Sequence, residues 1–418
     1  AGASDDGLAV ALRTAAEEVD QISVGGTADL TLAGSGSVIA RFDEQGEPVW
    51  LRAATRGNTG ALAVGVAAGE TIAFFGANSG DTYQLEGHMI ADRDVWAVRY
   101  DASGEPGTPY RLCPSTVDAA VGVEDSMIIA TTLGREPIEF GQPGVPIEPL
   151  GDSTIAIARL SLDGEVMWVR QLAGSGLVTV ENLQVDAAGR IAILGQIGGS
   201  APGPSGRPLT LSAGEPDAQT VVSTAGDDGL LADTWLARYS VEGDLLQSAI
   251  VLHGAPLGAV QISAWSSEGV HLAVPTEAGR FPVVVPDGEG GTLAHDAQAP
   301  LAFVSFDSEL KAATVIDLPL SGSPLAVRTT STGLRVYSSR TESATGALQI
   351  TTVDVTQGVA GTPSVALESD RPLELSLATR VDGSLVSAVR NGWNATRIAR
   401  AGFEDVIADA PLYVMSLP

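Results

Sequence analysis

The chain has 418 residues, 44% of them hydrophobic, and its 51 acidic against 23 basic side chains give a net charge of −28. Such a surface repels phosphate groups, so we expect no nucleic acid partner. No run of 18 apolar residues occurs, which argues against membrane insertion. Cys113 is the single cysteine, which excludes a disulfide within the chain. The length allows two or three domains unless internal repeats join the chain into one body.

A short motif recurs along the chain: an apolar strand that ends near an arginine, a tight turn rich in Asp, Ser and Gly, and a second strand. The first copy, residues 38–43, is followed by the turn 44–48, and the second, residues 96–101, by the turn 102–106. Polar turns of this composition are typical of hairpins. With the arginine position as a marker, seven copies lie at residues 41, 99, 159, 238, 305, 352 and 400, although the fifth and sixth lack the arginine itself.

The marker strands are apolar at almost every position, which indicates strands covered on both faces. Two more strand-like runs precede each marker, such as residues 62–66 and 71–76 in the second unit. Four antiparallel strands per unit and seven units predict an all-β chain that forms a single seven-bladed β-propeller, with the ring closed by strands from both termini. We expect one domain, residues 1–418, with the marker strand fourth in each blade and blades at about 1–43, 44–101, 102–161, 162–240, 241–307, 308–354 and 355–402.

The units differ in length at one place, between the third strand and the marker strand. The inserts there are residues 77–93, 134–151, 198–233 and 276–299. Because they occupy one slot in the repeat, we expect them to emerge on the same face of the disc. Loops displayed together on a rigid scaffold are where binding usually takes place.

The copies share the order apolar residue, Ala, Arg, aromatic residue, Asp, a turn with Gly and Glu, and Trp, and residues 94–105 and 155–174 fit it best. This order resembles the bacterial β-propeller repeats of the SBBP kind, which are common in large secreted proteins of myxobacteria and related lineages. The resemblance extends over the whole chain by its period, and only loosely over the fifth and sixth units. It implies a propeller, export, and a role at the cell surface or in a matrix. It implies no catalytic residues.

Two segments resemble motifs of propeller enzymes. Residues 161–168 are close to the Asp-box of sialidases, with the glycine one place early, and residues 43–50 resemble in part the tryptophan-docking repeats of quinoprotein dehydrogenases. A sialidase would also need an arginine cluster with a tyrosine and a glutamate, and we find no support for that set. We therefore interpret both segments as structural hairpins. Trp50 and Trp168 are expected to fill space between blades.

The marker arginines allow two interpretations. A ring of guanidinium groups could clamp an anion. Alternatively, each arginine pairs with a carboxylate of its own turn, such as Asp43 or Asp101, in individually weak ion pairs. We favour the structural interpretation. The arginines concerned are Arg41, Arg99, Arg159, Arg238 and Arg400.

We assign no catalytic, cofactor-binding or metal-binding residue and expect no cofactor. The four histidines, His88, His253, His271 and His295, have no metal-ligand spacing. Calcium remains possible, because acidic clusters in flexible loops offer oxygen ligands, but none has the spacing of a known calcium loop. Those clusters are Asp227 with Asp228, and residues 287–289.

The two ends of the chain supply more strands than one closing blade needs. A first strand is expected near residues 8–13, yet apolar residues also continue through 406–417, so residues 403–418 are either the closing strand or a spare arm. A spare β-prone arm must be buried or paired with another chain. It could build an extracellular filament or surface layer from copies of the chain.

The function predicted is therefore a non-enzymatic, secreted or cell-surface propeller that acts as a structural and interaction scaffold. Its small first residues, 1–4, resemble those that follow a signal cleavage site, which agrees with an extracellular location. Other protein chains, copies of itself among them, are the expected partners, and a glycan is a possible one. Two alternatives stay open: a carbohydrate-active or quinone-dependent propeller enzyme, and an adhesin that binds a glycan or a protein.

Overall fold

Every element of the described chain is a β-strand, which confirms the expectation of an all-β protein. Among the described residues no helix has the length and apolar character needed to cross a membrane. The computed structural model describes the chain except at residues 1, 5–6, 15–18, 25–27, 34–35, 44–47, 57–58, 78–82, 91–93, 114–116, 134–136, 142–143, 187–188, 199–206, 224–230, 257–260, 267–268, 277–282, 287–291, 296–297, 331–332, 342–346, 370–373, 380–384, 391–395, 401–405, 409–411 and 417–418.

The marker motif folds into a strand and a tight turn whose geometry repeats. In the second copy the amide of Gly104 donates to the carbonyl of Asp101 at 3.0 Å, and the Asp101 carboxylate accepts a hydrogen bond from the amide of Ser103. Gly104 has φ +85°, a left-handed conformation that glycine adopts without a steric penalty. The same turn recurs after the third and fourth markers with Gly164 and Gly243 at the left-handed position.

Consecutive strands pair into antiparallel sheets, which we number in chain order. Sheet 1 contains Gly2–Ser4, Gly7–Thr14, Gly36–Phe42 and Pro48–Arg56; sheet 2, Thr59–Ala67, Glu70–Ala77, Val95–Tyr100 and Tyr110–Cys113; sheet 3, Ala119–Val123, Ser126–Leu133, Ser153–Ser161 and Val166–Gly174; sheet 4, Leu177–Val185, Ile191–Gly198, Leu231–Tyr239 and Leu245–Pro256; sheet 5, Gln261–Ser266, Gly269–Pro275, Leu301–Asp307 and Ala312–Leu318; sheet 6, Ser323–Thr330, Gly333–Thr341, Leu348–Thr356, Val359–Ala360 and Ser364–Ser369; sheet 7, Glu374–Thr379, Leu385–Arg390 and Leu412–Ser416.

The first six marker strands are third in their sheets, so the expectation that they are fourth is wrong. The strand after the marker turn belongs to the same sheet because the turn is a hairpin: Arg159 lies opposite Trp168 in adjacent strands of sheet 3. The prediction for the seventh marker strand is also wrong. Its strand, Thr396–Arg400, forms a hairpin with Val406–Ala408, and Leu412–Ser416 holds the third position of sheet 7 instead.

The inserts between the second and third strands form β-hairpins. In four cases the first strand of the hairpin pairs with the last strand of the preceding sheet, as Tyr83–Leu85 does with Pro48–Arg56, and in a fifth case Val19–Val24 pairs with Leu412–Ser416 of sheet 7. We call these segments the insert hairpins. They are Val19–Val24 with Ala28–Ala33, Tyr83–Leu85 with His88–Ile90, Ile138–Phe140 with Val145–Ile147, Arg207–Leu211 with Gln219–Ser223, Val283–Pro286 with Thr292–His295, and Thr396–Arg400 with Val406–Ala408.

Both ends of the chain contribute to sheet 7. Leu412–Ser416 pairs antiparallel with Leu385–Arg390, and its other edge meets the insert hairpin Val19–Val24 in parallel at Leu412. Gly7–Thr14 pairs with the first marker strand in sheet 1. The expectation of a spare arm is therefore wrong for Leu412–Ser416, because this segment lies inside a sheet with a neighbour on each side.

The core lies between successive sheets. Five clusters of buried apolar residues each join two consecutive sheets, from the pair of sheets 1 and 2 to the pair of sheets 5 and 6. The first strands contact one another in the same order, from Thr59–Ala67 through to Ser323–Thr330, and Gly2–Ser4 also contacts Glu374–Thr379. This face-to-face packing explains why the marker strands are apolar on both faces.

The left-handed turn residue predicts the effect of a substitution. Gly243 has φ +87°, and a Cβ there would lie 2.8 Å from the Trp168 ring, whereas Gly69 has φ +75° with no atom near its Cβ position. We expect Gly243→Ala to lower the free energy of unfolding by about 2 kcal/mol or more, and Gly69→Ala by about 1 kcal/mol, in urea titrations. Equal effects would mean that the Trp168 contact adds nothing.

Candidate functional site

Three junctions, those of sheets 1 and 2, sheets 2 and 3, and sheets 3 and 4, share one contact. An aromatic side chain on the last strand of one sheet packs on the left-handed glycine of the next sheet's marker turn. Trp168 lies on Gly243, and its indole N–H also donates to the carbonyl of Val241 at 3.0 Å. Trp50 packs on Gly104 in the same way, so both tryptophans fill the space between sheets, as expected.

The marker arginines reach forward to the next turn. Arg159 donates to the carbonyl of Val241 at 3.0 Å, and Arg238 to that of Ser308 at 3.1 Å. Arg99 pairs with Asp163 of the next turn. The expected pairing with a carboxylate of the same turn is therefore wrong for Arg99.

The junction of sheets 2 and 3 departs from this pattern. Trp50 and Trp168 each follow their marker arginines, Arg41 and Arg159, by nine residues, whereas the corresponding Tyr110 follows Arg99 by eleven. The two extra residues lie between the turn and the strand that carries Tyr110.

The longer segment, residues 105–109, is held in place by the backbone. The Gly107 amide donates to the carbonyl of Arg99 at 2.7 Å, and Tyr100 forms an isolated bridge with Pro106. A cavity of about 640 Å³ opens beside this segment, which we call the junction cavity. Its lining residues are Glu70, Arg99, Asp101, Glu105, Pro106, Gly107, Thr108, Pro109, Tyr110, Leu162 and Asp163.

Arg99 organises the charges of the junction cavity. Its guanidinium binds Glu70 through two nitrogens and Asp163 through a third. The hydrogen bond to Glu70 is the main cause that raises the pKa of Arg99, so the group is always charged. Asp101 accepts hydrogen bonds from Ser103, which lower its pKa and keep it ionised.

Tyr110 forms the floor of the cavity. Its side chain is 8% exposed and its ring packs against Gly164, a position where any Cβ would collide with the ring. Burial, with the nearby charge of Asp163, raises the pKa of Tyr110, so its hydroxyl stays protonated.

A second charged network leads from the rim of the cavity into the junction of sheets 1 and 2. Glu105 lies 3.5 Å from a nitrogen of Arg52, and Arg52 also donates to Glu86 at 3.3 Å. Glu86 is the turn residue of an insert hairpin and accepts a hydrogen bond of 2.8 Å from the Tyr100 hydroxyl. Burial raises the pKa of Glu86 despite these partners.

The structure does not bring the histidines together into one site. His253 pairs with the buried Asp233 at 3.2 Å, and His295 with Asp317 at 3.0 Å, while His271 stacks on Phe303. Burial lowers the pKa of His271 to about 4.

Among the described residues, no group of three or more His, Cys, Asp or Glu side chains is placed to hold a metal ion. The calcium candidates Asp227, Asp228 and residues 287–289 lie outside the described residues.

No family model and no curated protein matches the chain. Among solved structures, a subtype N11 neuraminidase-like protein of A/flat-faced bat/Peru/033/2010 (H18N11) aligns over 87% of this chain and 88% of its own, with a TM-score of 0.41 and 10% identity. A puromycin hydrolase S511A mutant complexed with PGG aligns over 85% of this chain (TM-score 0.35, 14% identity), and the Pyrococcus horikoshii acylaminoacyl peptidase over 86% (TM-score 0.32, 9% identity). The chain spans 55% of each of these two proteins. No family follows from such low similarities.

A double-mutant cycle can measure the Arg99–Glu70 pair. The two side chains are 34% and 22% exposed, and the contact is bidentate, so we expect a coupling free energy of about 1 kcal/mol from Arg99→Met, Glu70→Gln and the double variant. The exposed pair of Lys311 and Glu309 serves as a control and should show coupling near zero. The same coupling in both cycles would contradict a structural role for Arg99.

The pH dependence of stability tests the buried Glu86. Because its pKa is raised in the folded state, the native protein binds this proton more tightly, and stability relative to Glu86→Gln should fall as the pH rises above 4.5. Asp354→Asn is a control of opposite sign: Arg335 lowers the pKa of Asp354, so the wild-type advantage there should be lost as the pH falls below 3.8. Urea titrations across this range measure both. A wild-type advantage over Glu86→Gln that grows with pH would refute the assignment.

Proposed function

We propose that the chain is a single seven-bladed β-propeller that serves as a non-enzymatic interaction scaffold outside the cell. The ring is supported by the ordered contacts of the first strands, with Gly2–Ser4 against Glu374–Thr379, and by the sheet that combines both ends of the chain. In this arrangement the insert hairpin Val19–Val24 links sheet 7 to sheet 1. The extracellular location rests on the resemblance to secreted bacterial propeller repeats.

The observation that carries the scaffold role is the arrangement of the insert hairpins. Each uses its first strand to extend or approach the preceding sheet, which leaves the second strand at an edge within the described residues. Three of these edge strands carry large exposed apolar side chains: Met89 is 67% exposed, Val222 50% and Val145 39%. An apolar sheet edge can bind an added strand or an apolar segment of another protein.

The partners are then other protein chains, including copies of this one. A contact between an insert hairpin and a different surface of the next copy joins unlike patches, and such contacts repeat into filaments or layers unless they close. The net charge of −28 opposes this association at low salt. At physiological salt the repulsion between exposed charges is screened beyond about 8 Å.

Charged substitutions at the hairpin edges test this proposal. We expect the wild-type mass in light scattering to rise above that of the monomer with protein concentration and with salt, and negative-stain images to show assemblies. Met89→Glu combined with Val222→Glu should reduce the association at least tenfold. Each substitution removes an apolar side chain that the contact buries and places a carboxylate there, which is costly to desolvate. Val359→Glu, at a residue 68% exposed but outside the insert hairpins, is the matched control.

Two outcomes count against the proposal. One is a wild-type chain that remains monomeric at high protein concentration in salt. The other is an equal loss of association in the hairpin variants and in Val359→Glu, which would reflect added charge alone.

A further inference from the structure

The outer strand of sheet 5 lacks the neighbour that most other outer strands have. In sheets 1, 3, 4 and 6 the outer strand pairs with the first strand of an insert hairpin. In sheet 2 the carbonyl of Leu112 accepts a hydrogen bond of 2.8 Å from Gly141, in the loop of an insert hairpin. Sheet 5 ends at Ala312–Leu318, and no described strand pairs with the free side of this strand. We call this free side the sheet 5 edge.

The length of one connection explains the missing neighbour. A hairpin that covers the sheet 5 edge would have to come from the connection between the second and third strands of sheet 6. That connection is residues 342–347, six residues, whereas the shortest connection that forms an insert hairpin, residues 78–94, has 17. A hairpin needs two strands, a turn and a link at each end, so six residues are too few. The chain itself therefore supplies no hairpin for this edge.

The register shows which backbone groups of the edge point outward. Asp317 in sheet 5 and Gln171 in sheet 3 both follow the marker position of their sheet by twelve residues. The carbonyl of Gln171 accepts a hydrogen bond of 2.8 Å from the amide of Ala213, in the loop of an insert hairpin, so the backbone at this position points away from its own sheet. Because such groups alternate along an antiparallel strand, Val315 also directs its amide and carbonyl outward.

The sheet 5 edge carries little of the chain's negative charge. Its seven residues include one acidic side chain, Asp317, which contacts His295 at 3.0 Å. Lys311, the only lysine of the chain, precedes the strand and pairs with Glu309 at 2.7 Å. An acidic chain of net charge −28 repels its own copies, and this edge contributes little to that repulsion.

Every copy of the chain also presents strands that suit this edge. The second strands of the insert hairpins lie at edges among the described residues, and His88–Ile90 and Gln219–Ser223 contain no acidic residue. The chain already places a hairpin strand antiparallel against four outer strands, so these sheets accept such a contact. Val315 and Ile316 are half-buried, and an added strand would cover more of their apolar surface.

We propose that the sheet 5 edge is the docking site for an insert hairpin of a second copy of the chain, which adds a strand antiparallel to Ala312–Leu318. The inference rests on the proposed scaffold function and names the surface of the next copy to which a hairpin binds. Pro319 has no amide hydrogen, so the added strand ends there. Because the hairpin and the edge are different parts of the chain, the contact repeats from copy to copy.

Proline at an outward amide tests the docking site. Val315→Pro removes an N–H donor from the edge and leaves the hydrogen bonds to Leu301–Asp307 in place. In light scattering, the concentration needed for half-maximal association should rise by about tenfold or more, because main-chain hydrogen bonds hold an added strand. Val315→Ala is the matched control: it keeps the amide, so its shift should be about twofold or less. Circular dichroism melts verify that both variants are folded.

Hydrogen exchange of the wild-type chain locates the contact without a substitution. In the assembled protein, peptides that cover residues 312–318 should exchange more slowly than in dilute monomer, because outward amides become hydrogen-bonded. Ser364–Ser369, the outer strand of sheet 6, already pairs with an insert hairpin and serves as the internal control. Its exchange should be the same in both states.

A mixture of two defective variants tests the direction of the contact. Val315→Pro keeps its hairpins, and the double variant Met89→Glu with Val222→Glu keeps its sheet 5 edge. Neither should assemble alone, whereas an equal mixture should form small complexes that do not grow, since no copy can make both contacts. Complexes in the mixture would also show that the proline variant retains its fold.

Four results would overturn the inference: association of Val315→Pro equal to that of the wild type, an equal loss in Val315→Ala, unchanged exchange at residues 312–318, or a mixture without complexes. The scaffold proposal is judged separately by the hairpin variants. If Met89→Glu with Val222→Glu loses association while Val315→Pro keeps it, the docking site alone fails.

Discussion

The left-handed residue of the marker turn is the constraint on which the sheet-to-sheet packing depends. At Gly104, Gly164 and Gly243 the turn has no Cβ, and an aromatic ring of the preceding sheet occupies that space. The missing side chain thus permits both the backbone conformation and the close approach of the ring. In sheet 5 a leucine, Leu310, adopts the same conformation with φ +60° and buries its side chain in the core between sheets 4 and 5. That junction is packed by the turn residue itself.

The arginines reinforce the same junctions in one direction. Arg159 and Arg238 donate to backbone carbonyls of the next turn, and Arg170 donates to the carbonyl of Gly243 at 2.8 Å. Carbonyl acceptors do not depend on the sequence of the turn, so the contact survives where the turn residues vary. The insert hairpins act in the opposite direction, since four of them pair with the last strand of the sheet before their own. Successive sheets are therefore connected both by side chains that point forward and by strands that reach back.

The junction cavity follows from the same constraint. The aromatic residue must still reach the next turn, so the two additional residues between Arg99 and Tyr110 form an irregular segment between the turn and the next strand. Arg99 still contacts the turn of the next sheet, but its partner there is the carboxylate of Asp163, whereas the partners of Arg159 and Arg238 are backbone carbonyls. A small change of length in one repeat thus converts a packed junction into an acidic recess with a tyrosine floor. A repeat protein can gain a specific surface in this way without altering its other sheets.

Much of the local structure was determined by the sequence. The apolar marker strands and the Asp, Ser and Gly turns predicted hairpins at the right places, because strand burial and turn conformation depend on residues close together in the chain. The spacing of eleven residues between Arg99 and Tyr110 was also visible in the sequence. The structural consequence of this spacing could not be predicted, because no local pattern shows that the aromatic residue packs on the glycine of the next sheet.

Only the tertiary structure decided which strands share a sheet. The marker strand is third because its hairpin partner remains beside it, the insert hairpins pair backward, and Leu412–Ser416 takes the position expected for the copy at residue 400. Each of these outcomes depends on hydrogen bonds between segments distant in sequence, and any apolar strand can make them equally well. Local pattern specifies that a segment is a strand, whereas the packing of whole sheets selects its neighbour.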